Sequence, residues 1–493
     1  MRKPYWPVIL AFAAAKLLLH LYTSGAYHYF RDELYYIACS RHLAWGFVDH
    51  PPLVAIYAWI GDHLGDSLRA FRLPVTIAGA LRVLLTGVLA ARLGGGRVAQ
   101  ALACTAVLFA PIYLGVDSIL SMNTFEHLFW LACILVVVEI ANGASEKWWL
   151  AFGVFAGLGL QNKHSMVFFG AALVAAMLFT PMRRSLARPW IWLGGAIALL
   201  IFLPNIIWEI QHDWATLELL RNVKNTGKNV VLAPLPFMIQ QAMMLNPFSA
   251  PLWIAGLIWL FRRQRVLAFT YVIFLVLMIW LEAKDYYVAP IYPMLFAAGG
   301  VATAALGRRA LTIAAFTLTI LGGLIALPLA TSILPPQRYL AYQRALGVKP
   351  KAAEVSHTSE MPQIFSDQFG WEEMVQKVAR YYHSLPEDER KKTAIYAGNY
   401  GEAAAIDFYG PKYGLPPAIS GHQSYFLWGP RDYTGESVIL IEDEADPSMW
   451  QSIREVDRRH HPYAMPEENG PIFHGRGLKM PLAEVWPRVK NWR

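Results

Sequence analysis

The chain has 493 residues, of which 56% are hydrophobic and only 16% charged, with a formal net charge of +8. A globular protein carries roughly 25% charged residues, so three ordinary water-soluble domains are excluded and a membrane is implied. The basic excess lies in short loops between apolar runs rather than on one polar face, which excludes a nucleic-acid partner as its cause.

Residues 1–330 hold 24 Lys+Arg and 14 Asp+Glu, whereas residues 331–493 hold 19 and 21. The sequence therefore predicts two parts: an α-helical polytopic membrane domain over 1–330 and a soluble α/β domain over 331–493. Cys39, Cys104 and Cys133 all fall in the first part, so the second has no disulfide framework.

A spanning helix needs roughly 20 mostly apolar residues. About eleven such runs are expected, near 5–24, 69–91, 97–116, 120–140, 147–162, 165–180, 189–209, 236–260, 266–282, 286–306 and 310–330. Charge sets the orientation, because cytoplasmic loops are enriched in Lys and Arg. With the N-terminus inside, Arg2, Lys3, Arg92, Arg97, Arg183, Arg184, Arg262, Arg263, Arg308 and Arg309 fall inside. Asp32, Glu33, Asp49, Asp62, Asp66, Asp117, Glu209, Asp213, Glu218, Glu282 and Asp285 then fall at the outer side, leaving Glu139 and Glu146 inside and Glu126 within a span. An odd number of crossings places 331–493 outside the cytoplasm. The first run fits an uncleaved anchor better than a cleaved signal peptide, because it is long for a signal core.

The first outer loop, about 25–68, is crowded with Tyr, His and acids. Long loops are usually functional or disordered. Order is expected here, because Asp32-Glu33-Leu34-Tyr35-Tyr36-Ile37-Ala38 opens a helical pattern along the membrane surface. A second helix is expected from Pro51-Pro52-Leu53. Asp32 and Glu33 diverge by about 100° on a helix, so one acts as general base or charge stabiliser while the other fixes the loop. Helix capping is the competing account.

Asp117 marks the outer end of the third span. On the fourth, Asn123, Glu126 and His127 have i, i+3, i+4 spacing and form one polar stripe. Ionisable groups within a membrane usually face a cavity, which makes Glu126 a functional candidate; satisfaction by His127 or by Arg82 is the alternative. Lys16 and His20 on the first span raise the same question, with lysine free to snorkel. The outer cations Arg31, Arg41, His50, Lys163, His164, Arg221, Lys224, Lys228 and Lys284 oppose the positive-inside bias. They point to an anionic partner such as a phosphate, or else to pairing with the outer acids.

Phe30-Arg31-Asp32-Glu33-Leu34-Tyr35-Tyr36, Gly46 and Asp49-His50-Pro51-Pro52-Leu53 resemble the first outer loop of the bacterial protein mannosyltransferase and aminoarabinose transferase superfamily, glycosyltransferase family 39 and its relatives. Ser121-Met122-Asn123-Thr124-Phe125-Glu126, the run Gly157 to Ser165 and Lys284-Asp285-Tyr286-Tyr287-Val288-Ala289-Pro290 resemble its later segments. The resemblance covers roughly 5–330. It implies a GT-C membrane fold and an inverting enzyme that moves a sugar from a polyprenyl phosphate to a lipid, glycan or protein acceptor at the outer face of the bacterial cytoplasmic membrane. By the same resemblance Asp32 is the catalytic base and Glu33 helps place the acceptor. Asp117 is a cavity residue, and Lys163 and Lys284 meet the donor phosphate. Several relatives carry Lys where this chain has His50, which is only partly charged at neutral pH. Some relatives hold a divalent ion near this loop; Asp49 and His50 would supply two ligands, too few to define a metal site.

The reaction's physical logic agrees: a carboxylate is needed on one face of the anomeric carbon and cations on the other. Gly94-Gly95-Gly96 reads as a turn, not a phosphate loop. In the second part a helix near 370–384, strands at 393–397 and 437–441 and a helix at about 401–409 suggest a layered α/β domain. Asn399-Tyr400-Gly401-Glu402 sits at a strand-to-helix turn, a usual ligand position and equally a capping turn. Glu442-Asp443-Glu444-Ala445-Asp446 reads as a solvated loop. The main alternative function is a transporter or lipid carrier, which would place charges near the midplane and show internal repeats. A non-enzymatic assembly factor is the third.

Overall fold

The computed structural model describes residues 2–350 and 359–493. They form two compact units. The first joins Met1–Ala26, Pro51–Trp208 and Val231–Pro335; the second joins Tyr27–His50, Glu209–Val230 and Pro336–Arg493.

The first unit is helical. Among the described residues, six helices are long and apolar enough to cross a bilayer: Trp6–Thr23, Leu73–Arg92, Met122–Ala141, Pro189–Gln211, Asp285–Ala305 and Arg309–Ala330. Two bent pairs raise the number to eight at most, against the eleven runs expected. The difference has local causes. The run expected at 97–116 is cut into Arg97–Leu108 and Pro111–Val116, because Pro111 removes a backbone donor. The run expected at 236–260 breaks at Asn246, whose φ is 74°, immediately before Pro247, and the flanking helices meet at 95°. Leu193, Leu199, Leu200, Leu203 and Ile207 on Pro189–Gln211 are exposed. A contiguous apolar face of this kind fits lipid contact.

Close helix packing needs small residues. Where Ala250–Arg263 lies on Tyr292–Ala305, a Cβ on Gly256 would collide with the Leu295 carbonyl, and one on Gly299 with the Leu252 carbonyl. Glycine is required at both.

The second unit contains a four-stranded sheet of β1 (Thr393–Ala397), β2 (Ser437–Ile441), β3 (Trp450–Arg458) and β4 (Pro471–Leu478), in the order β1-β2-β4-β3. β1 and β2 are parallel, joined through helix Tyr400–Tyr409; the other pairs are antiparallel. The whole of β2 is buried, as expected of a central strand with covered faces. Helix Trp371–Ser384 buries Trp371, Met374, Val375, Val378, Ala379 and Tyr382, the stripe of an amphipathic helix. Tyr396, Ile419, Val438, Leu440, Trp450 and Trp486 pack together on the sheet.

Candidate active site

Two clusters of polar side chains stand out in the first unit. In one, Asp117 caps helix Pro111–Val116 and is fully buried with Arg82 and Lys16. Lys16 Nζ lies 2.8 Å from Asp117 Oδ2 and donates to the Tyr113 carbonyl at 2.8 Å, and Arg82 also bonds Asp117. Lys16 therefore does not snorkel to the membrane surface. A buried ion triad of this kind holds only while each member is present. Arg82 also donates to His127 Nδ1 at 2.8 Å.

The second cluster gathers residues near the start of helix Met122–Ala141. Lys163 Nζ donates to Asn123 Oδ1 at 2.9 Å and to Glu126 Oε2 at 3.0 Å. The other Glu126 oxygen accepts from Ser165. The ammonium group also lies 4.5 Å from the Tyr287 ring centroid, a cation–π distance. Thus the stripe read as one surface divides: Asn123 and Glu126 turn to Lys163, while His127 turns to Arg82. Glu126 is satisfied by Lys163 and Ser165, not by His127 or Arg82. His164 Nε2 lies 3.1 Å from Asn205 Oδ1, and Lys284 precedes the 3-10 turn Asp285–Ile291 that carries Tyr286 and Tyr287.

In the second unit the expected helix runs over Arg31–Arg41, and Glu33 to Ser40 are buried in the protein rather than laid out along a surface. Its first turn separates the neighbouring acids. Glu33 is buried and its Oε2 accepts from the Phe30 N–H at 2.9 Å, which satisfies a donor that helix geometry leaves free. Asp32 keeps about a third of its side chain exposed (32%) and lies 3.9 Å from Arg31 Nε. Its Oδ1 accepts from the Tyr400 hydroxyl at 2.7 Å. Burial raises the Tyr400 hydroxyl well above its usual range, so it remains a donor.

Arg31 in turn bridges acids, with Asp367 Oδ2 at 3.5 Å and Glu467 Oε1 at 3.4 Å. Burial pushes Asp367 up to about 6 even against that guanidinium. The Tyr400 ring packs at a tilt against Tyr35 at 4.8 Å and His422 at 5.1 Å. Burial pushes His422 down to about 3, leaving it neutral at physiological pH. His50 is fully buried among the rings of Tyr35, Tyr36 and Phe47. Its Nε2 is 3.8 Å from Asp49 Oδ1, which accepts from the Tyr35 hydroxyl at 3.0 Å. Asp49 and His50 thus bring two donors together, short of a closed zinc site. No group of three or more His, Cys, Asp or Glu is arranged for a metal ion among the described residues, and a closed site needs about four. Arg221 lies exposed on helix Ala215–Asn225.

Tyr400 is the residue that sequence reasoning did not single out, although its turn was. Asn399 caps helix Tyr400–Tyr409 by accepting from the Gly401 and Glu402 N–H groups, and Glu402 reciprocates at the Asn399 N–H at 3.2 Å. The capping turn thereby fixes where Tyr400 points. Glu402 is also ion-paired with buried Arg459, and burial still pushes it up to about 7.

Comparison with known proteins gives the same direction. Residues 49–208 match the family model described as dolichyl-phosphate-mannose-protein mannosyltransferase. A curated relative, the lipid A galacturonosyltransferase RgtD of Rhizobium johnstonii, is 25% identical over 198 residues, which is 38% of this chain and 40% of that protein. The chain thus aligns with well under two thirds of the relative's length. Among solved structures, ArnT from Cupriavidus metallidurans in the apo state superposes with a TM-score of 0.62 at 14% identity, covering 94% of this chain and 97% of that one. The same protein bound to undecaprenyl phosphate gives 0.57 at 15% identity with the same coverage. The fold is that of ArnT over 94% of this chain, and residues 49–208 are similar to the mannosyltransferase family.

Proposed function

We propose that this GT-C, family 39-like protein is an inverting membrane glycosyltransferase that moves a sugar from a polyprenyl-phosphate donor to an acceptor hydroxyl. The observation that carries the reading is the division inside the Asp32-Glu33 pair. Glu33 is committed to a helix N–H, whereas Asp32 is partly exposed and held by the Tyr400 hydroxyl. A positioned, partly exposed carboxylate is what a general base requires.

In the proposed displacement the acceptor oxygen attacks the anomeric carbon from the face opposite the phosphate, and its proton passes to Asp32. The bond between the anomeric carbon and the phosphate oxygen breaks, its electron pair leaves with the polyprenyl phosphate, and the configuration inverts. Lys163 is assigned to the leaving phosphate as a point charge, assisted by Lys284, His164 and Arg221. Glu126 and Asn123 hold Lys163 in place, and His50, enclosed by rings, shapes the loop. Asp117 is assigned a structural rather than a sugar-binding role, since both Lys16 and Arg82 neutralise it.

Support for the donor class comes from the fold shared with a protein solved with undecaprenyl phosphate; the lipid A relative supports a lipid among the acceptor classes, with glycan and protein as the others. The charge pattern supports a cytoplasmic N-terminus; one crossing by Trp6–Thr23 then puts Tyr27–His50 at the outer face, and the grouping of Pro336–Arg493 with that stretch in one unit supports the same side for it. A transporter is less favoured, because Lys16, Arg82 and Asp117 are locked in mutual ion pairs rather than free along a path.

The test is transfer of labelled sugar from a panel of polyprenyl-phosphate sugars into cell-envelope extract. Asp32→Asn is expected to lower the rate by roughly 10²–10⁴-fold, the usual worth of a general base. Unchanged transfer would remove Asp32 from the chemistry.

A further inference from the structure

The second unit holds a cavity of about 710 Å³, inside the size range of ligand sites, that the reaction as written does not use. The end of β1 and the turn after it supply Gly398, Asn399 and Tyr400; the end of β2 supplies Glu442, Asp443 and Glu444. Ligands settle beyond the carboxyl ends of parallel strands, and β1 and β2 are the parallel pair. Thr226, Gly227 and Lys228, which follow helix Ala215–Asn225, contribute another part of the lining. Glu442-Asp443-Glu444 is therefore a cavity wall, not simply the solvated loop that its composition suggests. A second lobe of about 470 Å³ shares Thr226, Gly398, Glu442, Asn491 and Arg493 with the first.

Two lining side chains connect the cavity to the proposed base. Arg31 is the residue before Asp32, and Tyr400 bonds Asp32 directly. The lining is rich in carboxylates, with two amides, Asn399 and Asn491, and the aromatic residues Tyr400 and His422. Carboxylates accept hydroxyl hydrogens in charge-assisted bonds, amides both give and accept, and a ring supports the C–H face of a sugar.

We propose that this cavity binds the saccharide portion of the acceptor, a neutral or amino sugar, and presents its hydroxyl toward Asp32. The proposal rests on the glycosyltransferase reading only in the last clause; saccharide binding stands or falls alone. Arg31, Lys228 and Arg493 also line the cavity, but its five carboxylates, Glu402, Glu442, Asp443, Glu444 and Glu467, outnumber these three cations, and that excess disfavours a uronic acid.

The test uses the full-length protein in detergent micelles and saturation-transfer NMR with glucose, glucosamine, chitobiose and glucuronic acid. Wild type is expected to saturate at least one of the first three more strongly than glucuronic acid. Thr226→Trp, an exposed residue at the cavity, is expected to abolish the signal. Joint replacement Glu442→Gln and Glu444→Gln is expected to weaken binding roughly tenfold, as for lost bonds to charged groups. Asp32→Asn is expected to bind as wild type. Absence of saturation for every sugar in wild type, or full binding by a Thr226→Trp protein of wild-type melting temperature, overturns the site. Saccharide binding that follows this pattern while Asp32→Asn transfers normally would overturn the catalytic reading and leave the site standing.

Discussion

At the scale of single residues, the chemistry turns on what each carboxylate is bound to. Asp32 and Glu33 were visible in the sequence as an acidic pair, and their divergence on a helix follows from its geometry. Which of them is held by the loop was not legible, because the answer depends on the Phe30 N–H and on Tyr400, 368 residues away. No periodicity links positions so distant. The polar stripe Asn123, Glu126, His127 was legible as a stripe, yet its division between Lys163 and Arg82 needed the packing of other helices. Tyr400→Phe removes one hydroxyl and leaves the ring contacts with Tyr35 and His422. It is expected to lower kcat by roughly tenfold with KM little changed, measured by steady-state transfer assays. A purely structural tyrosine would lower the melting temperature and leave kcat of the folded protein intact.

Among the elements, helices with a clear apolar run were placed from sequence to within a few residues: Trp6–Thr23 against 5–24, and Arg309–Ala330 against 310–330. Strands β1 and β2 coincide with the runs at 393–397 and 437–441. Broken elements were not foreseen, because hydropathy averages over a proline or a positive-φ residue that interrupts the backbone. Asn246 with Pro247 is the case in point. Helix Arg31–Arg41 gives a prediction at this scale. Glu33→Gln keeps an oxygen for the Phe30 N–H and is expected to retain both stability and transfer. Glu33→Ala removes it and is expected to cost about 1 kcal/mol, as for other lost caps, read from thermal or denaturant unfolding. Loss of transfer in a stable Glu33→Gln protein would instead assign Glu33 a chemical part.

For the molecule as a whole, buried acids in the second unit couple its stability to pH. Burial, aided by the charges of Glu402 and Asp443, pushes Glu442 up to about 7. A carboxyl whose folded pKa lies above its unfolded value holds its proton longer in the native state. Its contribution to stability is therefore greatest below about 4.5, declines as pH rises, and is fully lost above about 7. Replacing it with glutamine removes that decline. Melting curves of wild type and Glu442→Gln are expected to coincide near pH 4 and to separate by pH 8, with the variant the more stable. Equal separation at both pH values would refute the burial argument.

The sequence placed the compositional change at residue 330, close to the Pro335 boundary, but gave no sign that Tyr27–His50 and Glu209–Val230 group with the C-terminal stretch. The path of the polypeptide passes back and forth between the two units five times. Scissors applied at the obvious seam would thus orphan two inserts, and a ribosome must release the last stretch before either insert finds its permanent neighbours. Fragments ending near 335 should behave as unfinished translation products rather than as a catalytic module, and expression strategies that treat the tail as a detachable accessory begin from the wrong parts list.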